Sequence, residues 1–222
     1  MSLVESGVIK MMDFNTKNHW NKTIYKMWAP VYDNFFNSGK FRNARKRVFE
    51  DVIFEKNQKI LFVGVGTGAD LEWFNHIEST VIGIDYSTEM LKQAKNKFQD
   101  TPIKFLQMDA QNMQFPNDSF DLVIGSLVLS VVQDANLCLK EMARVLKLEG
   151  HIIIFDNFSP KGKNLSPLKR IFRPIIMLLG TDIGVKFESL LEGNNKTLTV
   201  QEDEDVMFNG MYRKIVIKKS HH

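Results

Sequence analysis

A glycine-rich segment with the sequence LFVGVGTGAD occupies residues 61–70, at the end of an apolar run. Gly64, Gly66 and Gly68 alternate with other residues, and Thr67 lies between the last two. Glycines with this spacing allow a tight turn after a strand, a close approach of a ligand to the backbone and close packing of the next helix. The segment therefore predicts a loop that binds a ligand through its main chain.

Asp85 is a carboxylate at the position where the next strand is expected to end. It comes 21 residues after Gly64, the separation at which a carboxylate binds the ribose of a nucleotide in a strand–loop–helix unit. The spacing Gly64-x-Gly66-x-x-Ala69 also fits the fingerprint of dinucleotide-binding proteins. The loop and Asp85 alone thus leave two ligands open, a nicotinamide dinucleotide and a sulfonium nucleoside.

Asp109, in the segment FLQMDAQ, favours the sulfonium nucleoside. A dinucleotide has no general need for a carboxylate at the end of the third strand, whereas an adenine that lies across that edge does. The carboxylate can accept from the exocyclic amine, and the N–H of Ala110 can donate to a ring nitrogen. Two further features favour the sulfonium nucleoside. Helical segments precede the first strand and could cap a small ligand, and a closing hairpin is predicted over residues 197–218.

The pattern of apolar residues predicts an α/β protein. Runs of Val, Ile, Leu and Phe that alternate with helical segments are typical of parallel strands buried on both faces. The predicted strands are Lys59–Val63, Thr80–Ile84, Ile103–Gln107, Phe120–Gly125 and Gly150–Asp156, and the predicted helices between them are Ala69–Asn75, Thr88–Phe98 and Ala135–Leu148. Helices are predicted within residues 16–54, and the tail is predicted to hold a helix at Pro167–Leu179 and strands at Thr197–Gln201 and Tyr212–Lys218, with NGMY as the last turn.

Four motifs in this order resemble the class I S-adenosylmethionine-dependent methyltransferases. They are ILFVGVGTGAD, VIGIDYSTEML, KFLQMDAQNMQFPNDSFDLVIGSLVLSVVQD and CLKEMARVLKLEGHIIIFD, which together cover about residues 58–156. The resemblance implies a three-layer, Rossmann-like α/β fold. Its seven-stranded sheet would have the order 3-2-1-4-5-7-6, with the last strand antiparallel. We expect a helical cap over residues 1–57, a cofactor-binding core over 58–156 and a C-terminal lid helix with closing strands over 157–220.

The resemblance also implies a binding site for S-adenosylmethionine. The glycine loop would cradle the methionine part of the cofactor, Asp85 would bind the ribose hydroxyls, and charge-assisted hydrogen bonds make a carboxylate suitable for that task. Tyr86 and Met90 would lie against the adenine and Asp109 at its edge. The complete predicted set is Gly64, Gly66, Thr67, Gly68, Asp70, Asp85, Tyr86, Met90, Asp109, Ala110 and Ser126, the last on the methionine side.

Phe62 departs from the pattern of this family. The family usually carries Asp or Glu two residues before the first glycine, where it helps to anchor the amino group of the cofactor, and here that place holds Phe62. The loss either weakens cofactor binding or transfers the task to Asp70. Asp70 also suits the first turn of a helix, where the helix dipole favours a negative charge.

The flanks of the chain resemble two subfamilies, the bacterial phosphatidylethanolamine N-methyltransferases and the ubiquinone/menaquinone C-methyltransferases. By this analogy Tyr25 and Tyr32 would close over the sulfonium, and Asp156 and Asn157 would face the methyl acceptor; these four are the predicted catalytic residues. Phe158 departs from the first subfamily, which tends to have His there. The predicted reaction is direct in-line transfer of a methyl group to a small-molecule or lipid acceptor, including a phospholipid amine.

Composition restricts the partners, cofactors and location that the sequence predicts. The formal net charge of +3 gives no sign of nucleic-acid binding, and the single cysteine, Cys138, excludes an intramolecular disulfide. His19, His76 and His151 lack metal-ligand spacing, so no metal is predicted. A cytoplasmic location is predicted, and the basic-apolar segment over residues 166–180 fits either a peripheral membrane contact or a lid.

Two rivals to a methyltransferase stay open at this point. A nicotinamide-dependent oxidoreductase would use Asp85 for its ribose but would leave Asp109 without a role. A degenerate, cofactor-binding module without transfer activity is compatible with Phe62 in place of the acidic residue.

Overall fold

The computed structural model describes residues 39–74, 78–159, 185–192 and 197–221. Within them, seven strands form one sheet with the order β3-β2-β1-β4-β5-β7-β6. The strands are β1 Lys59–Val63, β2 Thr80–Asp85, β3 Lys104–Gln107, β4 Phe120–Ser126, β5 Leu146–Asn157, β6 Leu198–Met207 and β7 Tyr212–Lys219. The helices are α1 Gly39–Phe49, α2 Thr88–Lys97, α3 Ala135–Val145 and α4 Phe187–Glu192, and a short 3₁₀ helix covers Ala69–Trp73.

The strand pairing confirms the predicted topology. Strand β1 lies in the middle and pairs in parallel with β2 and β4, and β4 pairs in parallel with β5. Strand β7 pairs antiparallel with both β5 and β6, which makes it the reversed strand. Because the first five strands are parallel, their carboxyl ends meet at one edge of the sheet, where open α/β sheets bind their ligands.

Helices cover both faces of the sheet. Side chains alternate between the two faces along each strand, and the apolar ones on each face are buried by helices. Helices α3 and α4 pack on one face, which we call the α3 face; Val63, Val123 and Ile154 are buried there. Helix α1, the 3₁₀ helix and α2 pack on the opposite face, which we call the α1 face; Phe62 and Phe155 are buried there. Strands that are apolar on both faces thus form the central layer, as their composition predicts.

Helix α3 and strand β5 differ from their predicted bounds. The predicted helix runs to Leu148, but α3 ends at Val145 and β5 begins at Leu146, which pairs with Phe120. The N–H groups of Asp118 and Ser119 bind the last carbonyls of α3, at 3.0 and 2.8 Å. Pairing with β4 therefore outweighs the helical preference of the LKLE segment.

The remaining elements differ from prediction by a few residues. The helix predicted at Ala69–Asn75 is a 3₁₀ helix that ends at Trp73, and β6 extends to Met207 rather than to Gln201. The turn before β7 is confirmed, since Phe208, Asn209 and Gly210 all have positive φ. Tyr25, Tyr32 and the segment 166–180 lie outside the described residues.

Candidate active site

The loop after β1 turns through three glycines with left-handed backbone. Gly64, Gly66 and Gly68 have φ values of +68°, +56° and +86°, a region that other residues adopt only with strain. The loop is held by a hydrogen bond from the Val65 N–H to the Ile84 carbonyl, at 2.9 Å. The prediction of a turn that requires glycine is confirmed.

Each of these glycines faces a different environment. A Cβ on Gly64 would lie 2.9 Å from the side chain of Val128, and a Cβ on Gly68 would lie 2.5 Å from the ring of Phe98. A Cβ on Gly66 would meet no atom within 4 Å. Gly64 and Gly68 therefore serve packing inside the protein, whereas Gly66 borders open space that a ligand can fill.

Asp85 joins the glycine loop to the start of α2. Its Oδ2 accepts from the Gly66 N–H and its Oδ1 from the Ser87 N–H, both at 2.8 Å. Burial raises the pKa of the Asp85 carboxyl, and these N–H groups act in the opposite direction. Each carboxylate oxygen keeps a further lone pair, so Asp85 can still accept from two ribose hydroxyls.

Two predicted adenine contacts have different surroundings. The Tyr86 side chain is 43% exposed, which leaves its ring free to stack on a flat ligand. Met90 is buried in the first turn of α2, a turn capped by the Ser87 hydroxyl at 3.3 Å from the Met90 N. Of the two, Tyr86 presents the larger accessible surface beside Asp85.

Asp109 lies on the loop after β3, next to the loop that carries Asp85. The two loops are joined by a hydrogen bond from the Met108 N–H to the Asp85 carbonyl, at 3.0 Å. The Asp109 Oδ1 accepts from the backbone and the side chain of Gln111, at 2.8 and 3.1 Å. The structure thus brings Asp85, Tyr86, Asp109 and Ala110 to one end of adjacent strands.

Asp70 has a partner that the sequence did not reveal. It forms a buried ion pair with Arg45 of α1. Arg45 is 4% exposed and lies over the ring of Phe155, 5.9 Å from its centroid. From sequence, Arg45 belongs to a basic run that is typical of a solvated helix face, and only its three- and four-residue spacing from Phe41, Val48 and Phe49 signals burial.

Phe62 occupies the core in place of the acidic residue that is usual in the family. Its ring packs edge-on against Phe74, with 4.7 Å between the ring centroids. A carboxylate there would be buried among aromatic rings, which costs free energy unless the charge is paired. On the α1 face, Asp70 is thus the carboxylate next to the glycine loop, and it is paired with Arg45.

Strands β4 and β5 end in a group of buried polar side chains. Asp156 is fully buried, and its Oδ2 accepts from the Leu129 N–H at 2.7 Å while its Oδ1 accepts from its neighbour Asn157 at 2.8 Å. Burial raises the pKa of Asp156 to about 6, although the Ser130 hydroxyl and these N–H groups lower it. Asp156 thereby fixes the loop after β4, which lies beside the glycine loop.

Ser126 and Asn157 lie at the same end of the sheet, with Tyr212 opposite Asn157 across β5 and β7. Among the described residues, the Ser126 Oγ and the Asn157 Oδ1 are buried without a hydrogen-bond partner. Burial raises the pKa of Tyr212 to about 12, with Asp156 acting in the same direction and a hydrogen bond with Asn157 in the other. Tyr212 was not among the predicted site residues, because nothing in the sequence separates it from a core aromatic.

These features fit S-adenosylmethionine. The open space over Gly66 suits a ligand that touches the main chain, Asp85 suits a ribose, and the unpaired Ser126 hydroxyl lies where a polar group of a ligand can meet it. Among the described residues, no group of three or more His, Cys, Asp or Glu side chains could hold a metal ion.

Comparison with known proteins identifies the family. A family model described as a methyltransferase domain matches residues 61–154. A demethylmenaquinone methyltransferase of Staphylococcus saprophyticus is 30% identical over 177 residues, which cover 75% of this chain and 75% of that protein. The chain belongs to the S-adenosylmethionine-dependent methyltransferase family. The resemblance inferred from its motifs is thus confirmed.

Other comparisons add a lipid-modifying relative and a solved methyltransferase. A phosphatidylethanolamine N-methyltransferase of Cereibacter sphaeroides is 37% identical over 139 residues, 61% of this chain and 66% of that protein. The chain thus spans just under two thirds of that relative. An S-adenosylmethionine-dependent methyltransferase of Thermotoga maritima has a TM-score of 0.67 at 17% identity, covering 89% of this chain and 98% of that one, which supports the fold. No helix among the described residues could cross a membrane.

Proposed function

We propose that this methyltransferase uses S-adenosylmethionine to methylate a small-molecule or lipid acceptor by direct in-line displacement. The observation that carries the proposal is the side-chain-free, open position at Gly66, whose N–H is fixed by the ribose-binding candidate Asp85. Family membership supports the same ligand. The rival, a nicotinamide dinucleotide, gives no role to Asp109.

The cofactor would be held by residues at the ends of four neighbouring strands, β3, β2, β1 and β4. The loop Gly64–Gly68 and Thr67 would hold its methionine part, Asp85 its ribose, and Tyr86, Met90, Asp109 and Ala110 its adenine, with Asp70 and Ser126 towards the methionine end. S-adenosylmethionine supplies a methyl group on a sulfonium, whose leaving group is a neutral thioether that needs no acid. The task of the protein is therefore to position two substrates and to exclude water.

The acceptor would bind at the ends of β4 and β5. Asp156 and Asn157 are the predicted catalytic residues there, together with Tyr25 and Tyr32 from the N-terminal segment. The names of the two relatives suggest two acceptor classes, a phospholipid amine and a demethylmenaquinone. Direct transfer to either class requires a nucleophile aligned with the methyl group, and Asp156 would contribute by fixing the loop after β4.

Two measurements test this proposal. Isothermal calorimetry should show binding of S-adenosylhomocysteine and none of NAD; the reverse preference would overturn the proposal. Mass spectrometry of lipid and small-molecule extracts incubated with the protein and isotopically labelled S-adenosylmethionine should then find the labelled methyl group on one acceptor class. Binding without transfer to any lipid, quinone or amine would instead indicate a degenerate module.

A further inference from the structure

Two unpaired oxygens mark the place where the acceptor nucleophile would lie. The Ser126 Oγ and the Asn157 Oδ1 have no hydrogen-bond partner, and their residues are only 8% and 1% exposed. Buried polar atoms in proteins are nearly always paired, so each exception calls for a ligand, a water or a functional reason. These two exceptions, together with the Ser130 Oγ on the loop after β4, lie at the ligand-binding edge of a methyltransferase sheet and point to a substrate group that binds there.

Both oxygens belong to the α1 face of the sheet. Ser126 pairs with Phe155, whose ring is buried on that face, and Asn157 lies two residues beyond Phe155 and so points the same way. Strand spacing and rise put the Cα atoms of Ser126 and Asn157 about 8 Å apart. Each hydrogen bond measures about 2.9 Å, so one nitrogen reaches both oxygens when the two side chains incline towards each other.

The position next to the glycine loop gives these oxygens access to the methyl donor. Gly125 pairs with Val63, so Ser126 lies level with Gly64, the first residue of the loop. Neighbouring strands lie about 4.8 Å apart. A nucleophile held by Ser126 and Asn157 therefore lies next to the loop that would hold the methionine end of the cofactor.

The chemistry of the free groups favours an amine. Asn157 keeps a carbonyl oxygen free, which only accepts hydrogen bonds, and Ser126 has two lone pairs in addition to its proton. A neutral primary amine that attacks a methyl group directs its lone pair at the carbon, and its two N–H groups then need two acceptors. Tyr212 remains a neutral phenol beside Asn157 and adds no charge.

We propose that Ser126 Oγ and Asn157 Oδ1 accept the N–H groups of a primary or secondary amine, which makes this protein an N-methyltransferase; this rests on the function proposed above. The nitrogen lone pair forms the new N–CH₃ bond while the S–CH₃ bond breaks and leaves its electron pair on sulfur. The resulting ammonium loses its proton to solvent. A tertiary amine has no N–H, so it gains nothing from these two oxygens.

The test compares amines with different numbers of N–H groups. The probes are dihexanoyl phosphatidylethanolamine and its N-monomethyl and N,N-dimethyl forms. Asn157→Leu and Ser126→Ala should reduce methyl transfer to the first two by at least about tenfold, because a lost hydrogen bond in a buried site is worth roughly that factor. Transfer to the dimethyl form should change little, and Ser126→Thr should restore transfer. Ser79→Ala, at a half-buried serine just before β2 and so at the opposite edge of the sheet, serves as the control.

Binding measurements separate this proposal from its alternatives. With S-adenosylhomocysteine bound, the unmodified protein should bind the unmethylated lipid more tightly than its trimethylated form, and Asn157→Leu should abolish that preference. Equal binding of the two lipids, equal loss of transfer to all three amines, or methylation of demethylmenaquinol alone would overturn the assignment. Loss of S-adenosylhomocysteine binding in Ser126→Ala would assign that hydroxyl to the cofactor instead. If the unmodified protein bound no S-adenosylhomocysteine, the proposed function itself would fail.

Discussion

At the scale of the residue, Asp85 is the side chain on which cofactor recognition depends most directly. Each of its oxygens already accepts a backbone N–H, and its remaining lone pairs are available to ribose hydroxyls. We expect Asp85→Ala to weaken binding of S-adenosylhomocysteine by roughly tenfold to a hundredfold, because hydrogen bonds to charged groups contribute about 1.5–3 kcal/mol. Calorimetry checks this value. Asp100→Ala, at an exposed aspartate, should leave the affinity unchanged, and an equal effect of both substitutions would contradict the role of Asp85.

Gly66 and Gly68 separate binding from packing within one loop. Both have positive φ, so alanine is strained at either position, by about 1–2 kcal/mol. Gly68→Ala also drives a Cβ into the ring of Phe98, and we expect it to lower the free energy of unfolding by a further 1–3 kcal/mol or so. The Cβ in Gly66→Ala meets no protein atom within 4 Å. We therefore expect Gly66→Ala to weaken cofactor binding and to lower the free energy of unfolding less than Gly68→Ala does. Denaturant unfolding and calorimetry on both variants measure the contrast, and the opposite pattern would refute it.

At the scale of the element, the Arg45–Asp70 ion pair joins α1 to the 3₁₀ helix that follows the glycine loop. Removing one member of a buried ion pair leaves an uncompensated charge and costs about 3–5 kcal/mol. We therefore expect Asp70→Asn or Arg45→Met to destabilise the protein by roughly that amount, and the double variant by less than the sum. Glu78→Gln, in the exposed pair with Lys56, should cost under about 1 kcal/mol. Urea unfolding of the four variants forms the test; additive losses would show that Arg45 and Asp70 act independently.

The same elements show what sequence can and cannot predict. The strands around β1 and the carboxylates at their ends were predicted correctly, because apolar runs and glycine turns are local signals. The pairing of Arg45 with Asp70 was not, because it joins residues 25 positions apart through tertiary packing. The boundary at Leu146 was missed for a related reason: its hydrogen bonds come from β4, not from its own segment. The unpaired Ser126 and Asn157 oxygens were equally invisible, since a lack of partners is a property of the folded arrangement.

At the scale of the whole molecule, the arrangement separates cofactor recognition from acceptor recognition along one edge of the sheet. The residues proposed for the nucleoside lie after β2 and β3, and the loop proposed for the methionine part follows β1. The unpaired oxygens lie at the ends of β4 and β5. The cofactor side and the acceptor side of this edge meet where the glycine loop packs against the loop after β4. There, a Cβ added to Gly64 would lie only 2.9 Å from the side chain of Val128. The order of the strands thus brings two substrates together, which is the main requirement for direct transfer.

The burial of Asp156 at this junction makes the stability of the fold depend on pH. Its pKa is raised to about 6 in the folded protein, against 3.8 for an unperturbed group. As the pH rises, Asp156 loses its proton at a lower pH in the unfolded chain than in the folded protein. The protonated carboxyl therefore contributes its full stability below about pH 4, and this contribution is lost as the pH rises to about 6. The total loss in the free energy of unfolding is about 3 kcal/mol. The side chain in Asp156→Asn cannot ionise, so the variant does not lose this contribution. Between pH 4 and pH 7, the free energy of unfolding of Asp156→Asn minus that of the unmodified protein should therefore rise by about 3 kcal/mol. Urea titrations across this range check the difference, with Asp100→Asn as the exposed control. Parallel pH profiles for the unmodified protein and Asp156→Asn would mean that the buried Asp156 carboxyl is already ionised at low pH, and that its hydrogen-bond partners outweigh burial.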